Sequence, residues 1–291
     1  MQTYQDSGGY GGGLALPSIT PVVKQLLILN FGIWVGLFLV SLVADGLLQT
    51  QSVDADGRLV LSGLIPYLGA TPYLWFDGFP WVLPWQPLTY GFLHSPSDPW
   101  HLLLNSLFLY FFGTRLEGTL GSRRFMGFYL AAIVAAGVSS LLLKPWLTGN
   151  SGATLGASGG VLAILCAVAT MRPKDTVLLY FFPIPIAWLA IGWVGLDAVR
   201  LLQQIFQGAG SGVDSIAHLS GGVFGFLAVK RGFIWRDYAE DLERAREDRQ
   251  EQSQQADEAR LDALLHQIHS KGMHTLSERE KAFLKRMSKR G

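Results

Sequence analysis

The sequence predicts an all-α membrane protein, a bundle of six transmembrane helices, and three observations carry that expectation. First, 49% of the 291 residues are hydrophobic and only 15% are charged. Second, the charges are segregated: of 23 Lys+Arg, 14 lie from Lys230 onward, as do 12 of the 22 Asp+Glu. Third, the charge-poor part divides into six apolar runs, the pattern of a polytopic helical protein and not of a soluble core. The net charge of +1 gives no argument for a nucleic-acid partner, and none is expected. Cys166 is alone, so no intrachain disulfide can form.

In chain order, residues 1–20 are polar and Gly-rich and read as a disordered cytoplasmic lead. The first apolar stretch, Val22 to Leu48, exceeds the roughly 7–15 apolar residues of a cleaved signal peptide and reads as a retained span. Residues 49–99 form a long first loop. Its Trp75, Trp81 and Trp85, with Trp100 just beyond, favour the headgroup level, so the loop is expected in the interface. Five further runs follow: Trp100 to Leu120, Phe125 to Leu147, Ala157 to Met171, Thr176 to Phe206 and Ile216 to Phe233, completing a membrane domain over 21–233.

Arg115, Arg123 and Arg124 flank the end of the second run, and Arg172 and Lys174 follow the fourth. By the positive-inside bias those spacers and both termini face the cytoplasm. The second, fourth and sixth helices then all begin at the opposite leaflet. The fourth, about fifteen residues, rises only roughly 22 Å against a hydrocarbon core of roughly 30 Å, so its start lies below the surface and calls for a local water-filled cavity.

Polar residues cluster where those three helices begin. His101 and Asn105 are four apart and share one helix face. Ser158 stands in Gly156-Ala157-Ser158-Gly159-Gly160, and His218 precedes Leu219-Ser220-Gly221-Gly222. A serine hydroxyl attacks only when a base takes its proton, and neutral histidine suits that task near neutral pH. His101 and Asn105 can donate to a developing oxyanion. Gly156, Gly159 and Gly160 on one helix, and Gly221 with Gly225 on another, would let the fourth and sixth helices meet backbone to backbone.

Other readings compete. Taken singly, the serine can bond back to its own helix and each histidine can serve an interhelical hydrogen bond. Gly156-x-Ser158-x-Gly160, with Asp197 or Asp214 before His218, has the chain order of an α/β-hydrolase triad, but that motif needs a strand before the serine and none is expected here. Asp214 reads as a cap on the sixth helix, with an orienting contact to the His218 imidazole as its alternative role, and Asp197 with Arg200 reads as a local ion pair. No H-E-x-x-H or Cys/His cluster supports a metal, and no cofactor is expected.

The residues from about Val22 to Lys230 resemble the rhomboid intramembrane serine proteases. The resemblance rests on Trp85-Gln86-Pro87-Leu88-Thr89 and Phe92-Leu93-His94 in the first loop, His101 to Asn105, and Phe112-Gly113 with Leu116-Glu117 and Gly121. It is completed by Gly156-Ala157-Ser158-Gly159 and Ala217-His218-Leu219-Ser220-Gly221 with Gly225. It implies a Ser158–His218 dyad, with His101, Asn105 and the Ser158 N–H as oxyanion stabilisers. It also implies transmembrane segments of other proteins as substrates, cut near the non-cytoplasmic face. Two departures stand out: Gln86 replaces the arginine of many members, and Leu162 replaces an aromatic that packs on the histidine in some bacterial ones. A non-cutting rhomboid-like protein that binds transmembrane helices is the alternative, with a transporter behind it. A bacterial inner membrane is the expected location, since no Arg-rich leader precedes the first span.

Residues 236–291 read as a cytoplasmic helical tail. Leu261, Leu264, Leu265 and Ile268 recur at helical spacing, Gly272 ends that helix, and Thr275 to Glu280 starts a second one bearing Phe283, Leu284 and Met287. A cytoplasmic partner for this tail is left open.

Overall fold

The computed structural model describes residues 17–44, 52–53, 59–60, 63–76, 83–179, 182–208 and 213–288. Most of the lead, and Trp81 of the first loop, lie outside them. Contacts divide the chain into two units, Met1–Arg236 and Asp237–Gly291.

In the first unit, helix α1 spans Pro21–Val43, opening on a proline at its first turn, where the missing N–H is no loss. Among the described residues, three apolar helices are long enough to cross a membrane: α1, α4 (Ser122–Thr148) and α6 (Ile186–Gln207). Two shorter apolar ones are α5 (Ser158–Met171) and α7 (Ser215–Lys230). The second apolar run is helical throughout but broken in geometry: α2 (Pro99–Phe108) passes through a π-turn at Leu109–Gly113 into α3 (Thr114–Leu120). Glu117 of α3 accepts from the Val22 and Val23 amides at 3.0 Å and from the Ser122 and Thr20 hydroxyls. A buried carboxylate there satisfies the otherwise unpaired first N–H groups of α1, and it ties α1, α3 and α4 together.

The fifth run differs from the expected continuous helix. Thr176–Leu179 pairs antiparallel with Phe182–Pro185, and α6 begins only at Ile186. Pro183 and Pro185 lack the amides a helix needs and bias their predecessors to extended backbone. The sixth run also stops early, at Lys230, before Gly232 at φ +77°.

Helix α5 is the centre of the unit, with every residue from Gly159 to Ala169 buried. The first loop is built of short turns, Ile65–Leu68, Pro72–Phe76 and Gln86–Thr89, and reaches the segment before α5 through an Ala70–Thr154 bridge. Exposed indoles mark two levels: Trp100 and Trp146 near the start of α2 and the end of α4, Trp188 and Trp235 near the start of α6 and beyond α7. Indoles at helix ends suit the headgroup level of a bilayer.

In the second unit, α8 (Tyr238–Lys271) ends at Gly272, whose φ of +84° favours glycine, and α9 (Glu278–Met287) starts on a Ser277–Glu280 capping box. Leu264, Leu276 and Phe283 form its small core, flanked by Leu261, Ile268, Leu284 and Met287. The Arg260 and Arg286 guanidinium groups lie over the Phe283 ring at 4.8 and 5.3 Å.

Candidate active site

Helices α5 and α7 approach until their backbones touch, and glycine is the reason. A Cβ on Gly221 would sit 2.0 Å from the Gly159 carbonyl oxygen, and one on Gly225 would sit 2.1 Å from that of Ala163. No side chain fits either position. This seam carries Ser158, first residue of α5, and His218, one turn into α7, to a Ser158 Oγ to His218 Nε2 distance of 2.6 Å.

His218 has a second partner that the sequence reading assigned only to Arg200. Its Nδ1 lies 2.8 Å from Asp197 Oδ2, while Arg200 Nη1 donates to the other carboxylate oxygen at 3.2 Å. A carboxylate accepts only, so the ring proton sits on Nδ1 and Nε2 is left to accept from the serine hydroxyl. Asp197 is fully buried on α6. The serine, histidine and aspartate thus form a chain of hydrogen bonds without the hydrolase fold that this residue order brings to mind. One signal pointed to it: an acidic residue inside an apolar span stays there only with partners.

The second pair sits opposite. Asp98 caps α2 by accepting from the His101 amide at 3.2 Å, which fixes the first turn that presents His101. Gly156 has φ +118°, and a Cβ there would lie 2.6 Å from His101 Cε1, 2.8 Å from its Nε2 and 3.8 Å from Asn105 Nδ2. Both side chains therefore face the turn just before Ser158, whose positive φ favours glycine. Asn105 Nδ2 donates to the His101 carbonyl at 3.0 Å and lies 3.3 Å from His94 Nε2. To serve an oxyanion it must give up one of those partners. The Ser158 N–H is the first of its helix, where amides have no intrahelical acceptor.

Supporting contacts hold this geometry from the outside. The Gly156 amide donates to the Tyr90 carbonyl at 3.0 Å, and the Tyr90 hydroxyl donates to the Ile133 carbonyl at 3.0 Å. Asp214 caps α7 through the Ile216 and Ala217 amides, accepts from Thr154 at 2.5 Å and from the Ser140 hydroxyl, and faces Lys144 Nζ at 3.8 Å. Burial alone would raise its pKa, but Lys144 and these hydrogen bonds hold the carboxyl below its ordinary range. Burial, with His101 nearby, pushes the His94 imidazole down to about 4. Gln86 is fully buried: it accepts from Trp75 Nε1 at 2.9 Å and donates to the Pro66 carbonyl at 2.8 Å. It therefore anchors the first loop by its own contacts.

Comparison with known proteins places these residues in a context. A family model described as the Rhomboid domain matches residues 83–233, and a family of unknown function, DUF6576, matches 245–290. Rhomboid protein 1, mitochondrial, of Saccharomyces cerevisiae is 32% identical over 147 residues, 47% of this chain and 39% of that protein. Presenilin-associated rhomboid-like protein, mitochondrial, of Rattus norvegicus is 30% identical over 146 residues, 47% of this chain and 36% of that protein. RHOMBOID-like protein 12, mitochondrial, of Arabidopsis thaliana is 30% identical over 158 residues, 50% of this chain and 45% of that protein. The matched part thus spans less than half the length of these curated relatives. Their names are mitochondrial, so they lend no support to the expected bacterial inner membrane; an integral membrane protein is the statement that stands. With the Rhomboid domain matched over more than half of its residues, this chain belongs to the rhomboid family.

Proposed function

We propose that this chain is an intramembrane serine endopeptidase that hydrolyses peptide bonds in or near the transmembrane segments of other membrane proteins. The observation that carries this reading is the 2.6 Å contact between Ser158 Oγ and His218 Nε2. In the proposed reaction His218 takes the hydroxyl proton as Ser158 attacks the carbonyl, and then returns it to the leaving amine. The acyl-enzyme on Ser158 is cleared by a water that His218 activates in the same way. His101, Asn105 and the Ser158 N–H stabilise the two oxyanions. Asp197 is a positioning residue: it holds the Nδ1–H tautomer and offsets the charge of the imidazolium that forms.

In this reading the first unit spans the bilayer six times, with α2, the π-turn and α3 counted as one crossing. Arg115, Arg123, Arg124, Arg172 and Lys174 sit at the helix ends remote from Ser158, which supports an active site open to the non-cytoplasmic side. The helical tail would then be cytoplasmic.

The test is cleavage of a panel of single-span proteins by the purified chain in liposomes, beside a Ser158→Ala variant. Cleavage by the wild type and a loss of at least about 10³-fold in the variant is the expected result. Equal cleavage by both would remove Ser158 as the nucleophile, and cleavage by neither across the panel together with transmembrane-helix binding would favour the non-cutting alternative.

A further inference from the structure

On the outer surface of the first unit, α6 stands off from α5 and α7 and leaves a groove of about 690 Å³. Its floor is Cys166 and Gly222, and its length runs from Leu219 to Lys230. Small residues keep it open. A Cβ on Gly195, in the α6 wall, would meet nothing within 4 Å, and one on Gly222 would come no closer than 3.3 Å to Cys166 Sγ. Inside a bilayer such a volume is filled by what surrounds it, since an empty groove would forfeit the dispersion contacts of its whole lining.

The dimensions fit one lipid chain. Leu219 and Lys230 are eleven residues apart on α7, roughly 16 Å at about 1.5 Å per residue, which is the depth of one leaflet in a core of roughly 30 Å. The groove is apolar along that length and cationic at one end. Lys230 Nζ stands there, 5.8 Å from the Phe226 ring centroid. Arg231 follows it in sequence, and Arg172 and Lys174 flank Pro173, which also lines the groove. The acidic Asp175 is drawn toward Arg115, at 4.0 Å. Trp188 and Trp235 place this end at the headgroup level. Basic side chains at the mouth of an interhelical apolar groove select anionic headgroups.

We propose that this groove is a binding site for one anionic phospholipid of the leaflet on the Lys230 side, its acyl chain between α6 and α7 and its phosphate at Lys230. Binding there is independent of chemistry at Ser158.

The test is native mass spectrometry of the full chain released from micelles holding equal amounts of phosphatidylglycerol and phosphatidylcholine. The wild type retains one phosphatidylglycerol, at least fivefold over phosphatidylcholine. Lys230→Gln brings that preference below twofold. Gly195→Leu, whose side chain enters open space, and Val223→Phe, at an exposed position of the groove lining, each cut retention of both lipids at least fivefold. The variants are compared at matched thermal midpoints, and either filling variant alone decides the question if the other fails to fold. Equal retention by wild type and filling variants, or no preference between headgroups in the wild type, would overturn the proposal. So would a dimer in place of lipid that is lost in the filling variants, because it would assign the groove to a second copy.

Discussion

The two sides of His218 are built in opposite ways. Toward Ser158, α7 lies on α5 with glycines at backbone contact, and α5 is buried from Gly159 to Ala169. Toward Asp197, α6 is thinly packed: Ile186, Ala190 and Asp197 are its buried residues, and a Cβ at Gly192 or Gly195 would meet nothing within 4 Å. The serine–histidine distance is therefore set by a seam that cannot relax without moving a helix, whereas the aspartate–histidine bond is set by a helix held at few points. Rigidity sits where bond making is proposed. The helix that carries Asp197 is the more loosely packed one, and a groove opens beside it.

Breaking the seam is expected to have the largest effect. A Gly221→Val variant puts its Cβ into the Gly159 carbonyl and forces the helices apart. Fluorophosphonate labelling of Ser158 and cleavage should both fall to background, with a lower thermal midpoint. Wild-type labelling in that variant would show that the glycine contact does not set the pair. On the other side of the ring, Asp197→Asn should lower kcat by up to roughly 10⁴-fold while KM and the thermal midpoint change little. A parallel loss in all three would make Asp197 structural instead.

Acid should weaken the fold through His94. Its imidazole is pushed from 6.5 to about 4, so the unfolded chain binds a proton that the folded protein refuses. Stability is full above about pH 6.5 and falls as the pH drops toward about 4, on the order of 3 kcal/mol in all. Asp214, held low, adds its own loss only as the pH falls below the ordinary carboxylate range. Thermal midpoints measured from pH 7 to 4 should show the slope, and a His94→Asn variant should flatten its upper part. Gln86→Ala leaves the part-buried Trp75 indole N–H without its acceptor, while the Pro66 carbonyl keeps the Thr71 hydroxyl, at about 1–3 kcal/mol. A thermal midpoint equal to wild type would mean the first loop is anchored elsewhere. The smallest effect belongs to Arg200→Gln, about twofold in kcat, because the Asp197 to His218 bond remains; a loss as large as that of Asp197→Asn would make the guanidinium the true anchor.

Hydropathy and charge made much of this legible. The helical class, the glycine contact between the fourth and sixth apolar runs, the Asp214 cap and the stop at Gly272 all follow from local chemistry. Two things did not. The fifth run was apolar enough to read as helix from Thr176, and the prolines at 183 and 185 turned its start into a hairpin. Asp197 and Arg200 stand three residues apart, so an ion pair was the local reading, and the pair does form. That the other carboxylate oxygen faces His218 depends on how α6 is rotated, and rotation about a helix axis is not written in hydropathy.

By itself the sequence determined which residues have reason to meet: a serine and a histidine on glycine-lined helices, and a histidine and an asparagine on one face of another. Periodicity and glycine spacing are local properties, and they survive without coordinates. Only the tertiary structure decided the distances, the second partner of the histidine, the occupied amide of Asn105 and the groove beside α6. Each of these depends on the angle at which separate helices cross, and that angle is a sum over all their contacts.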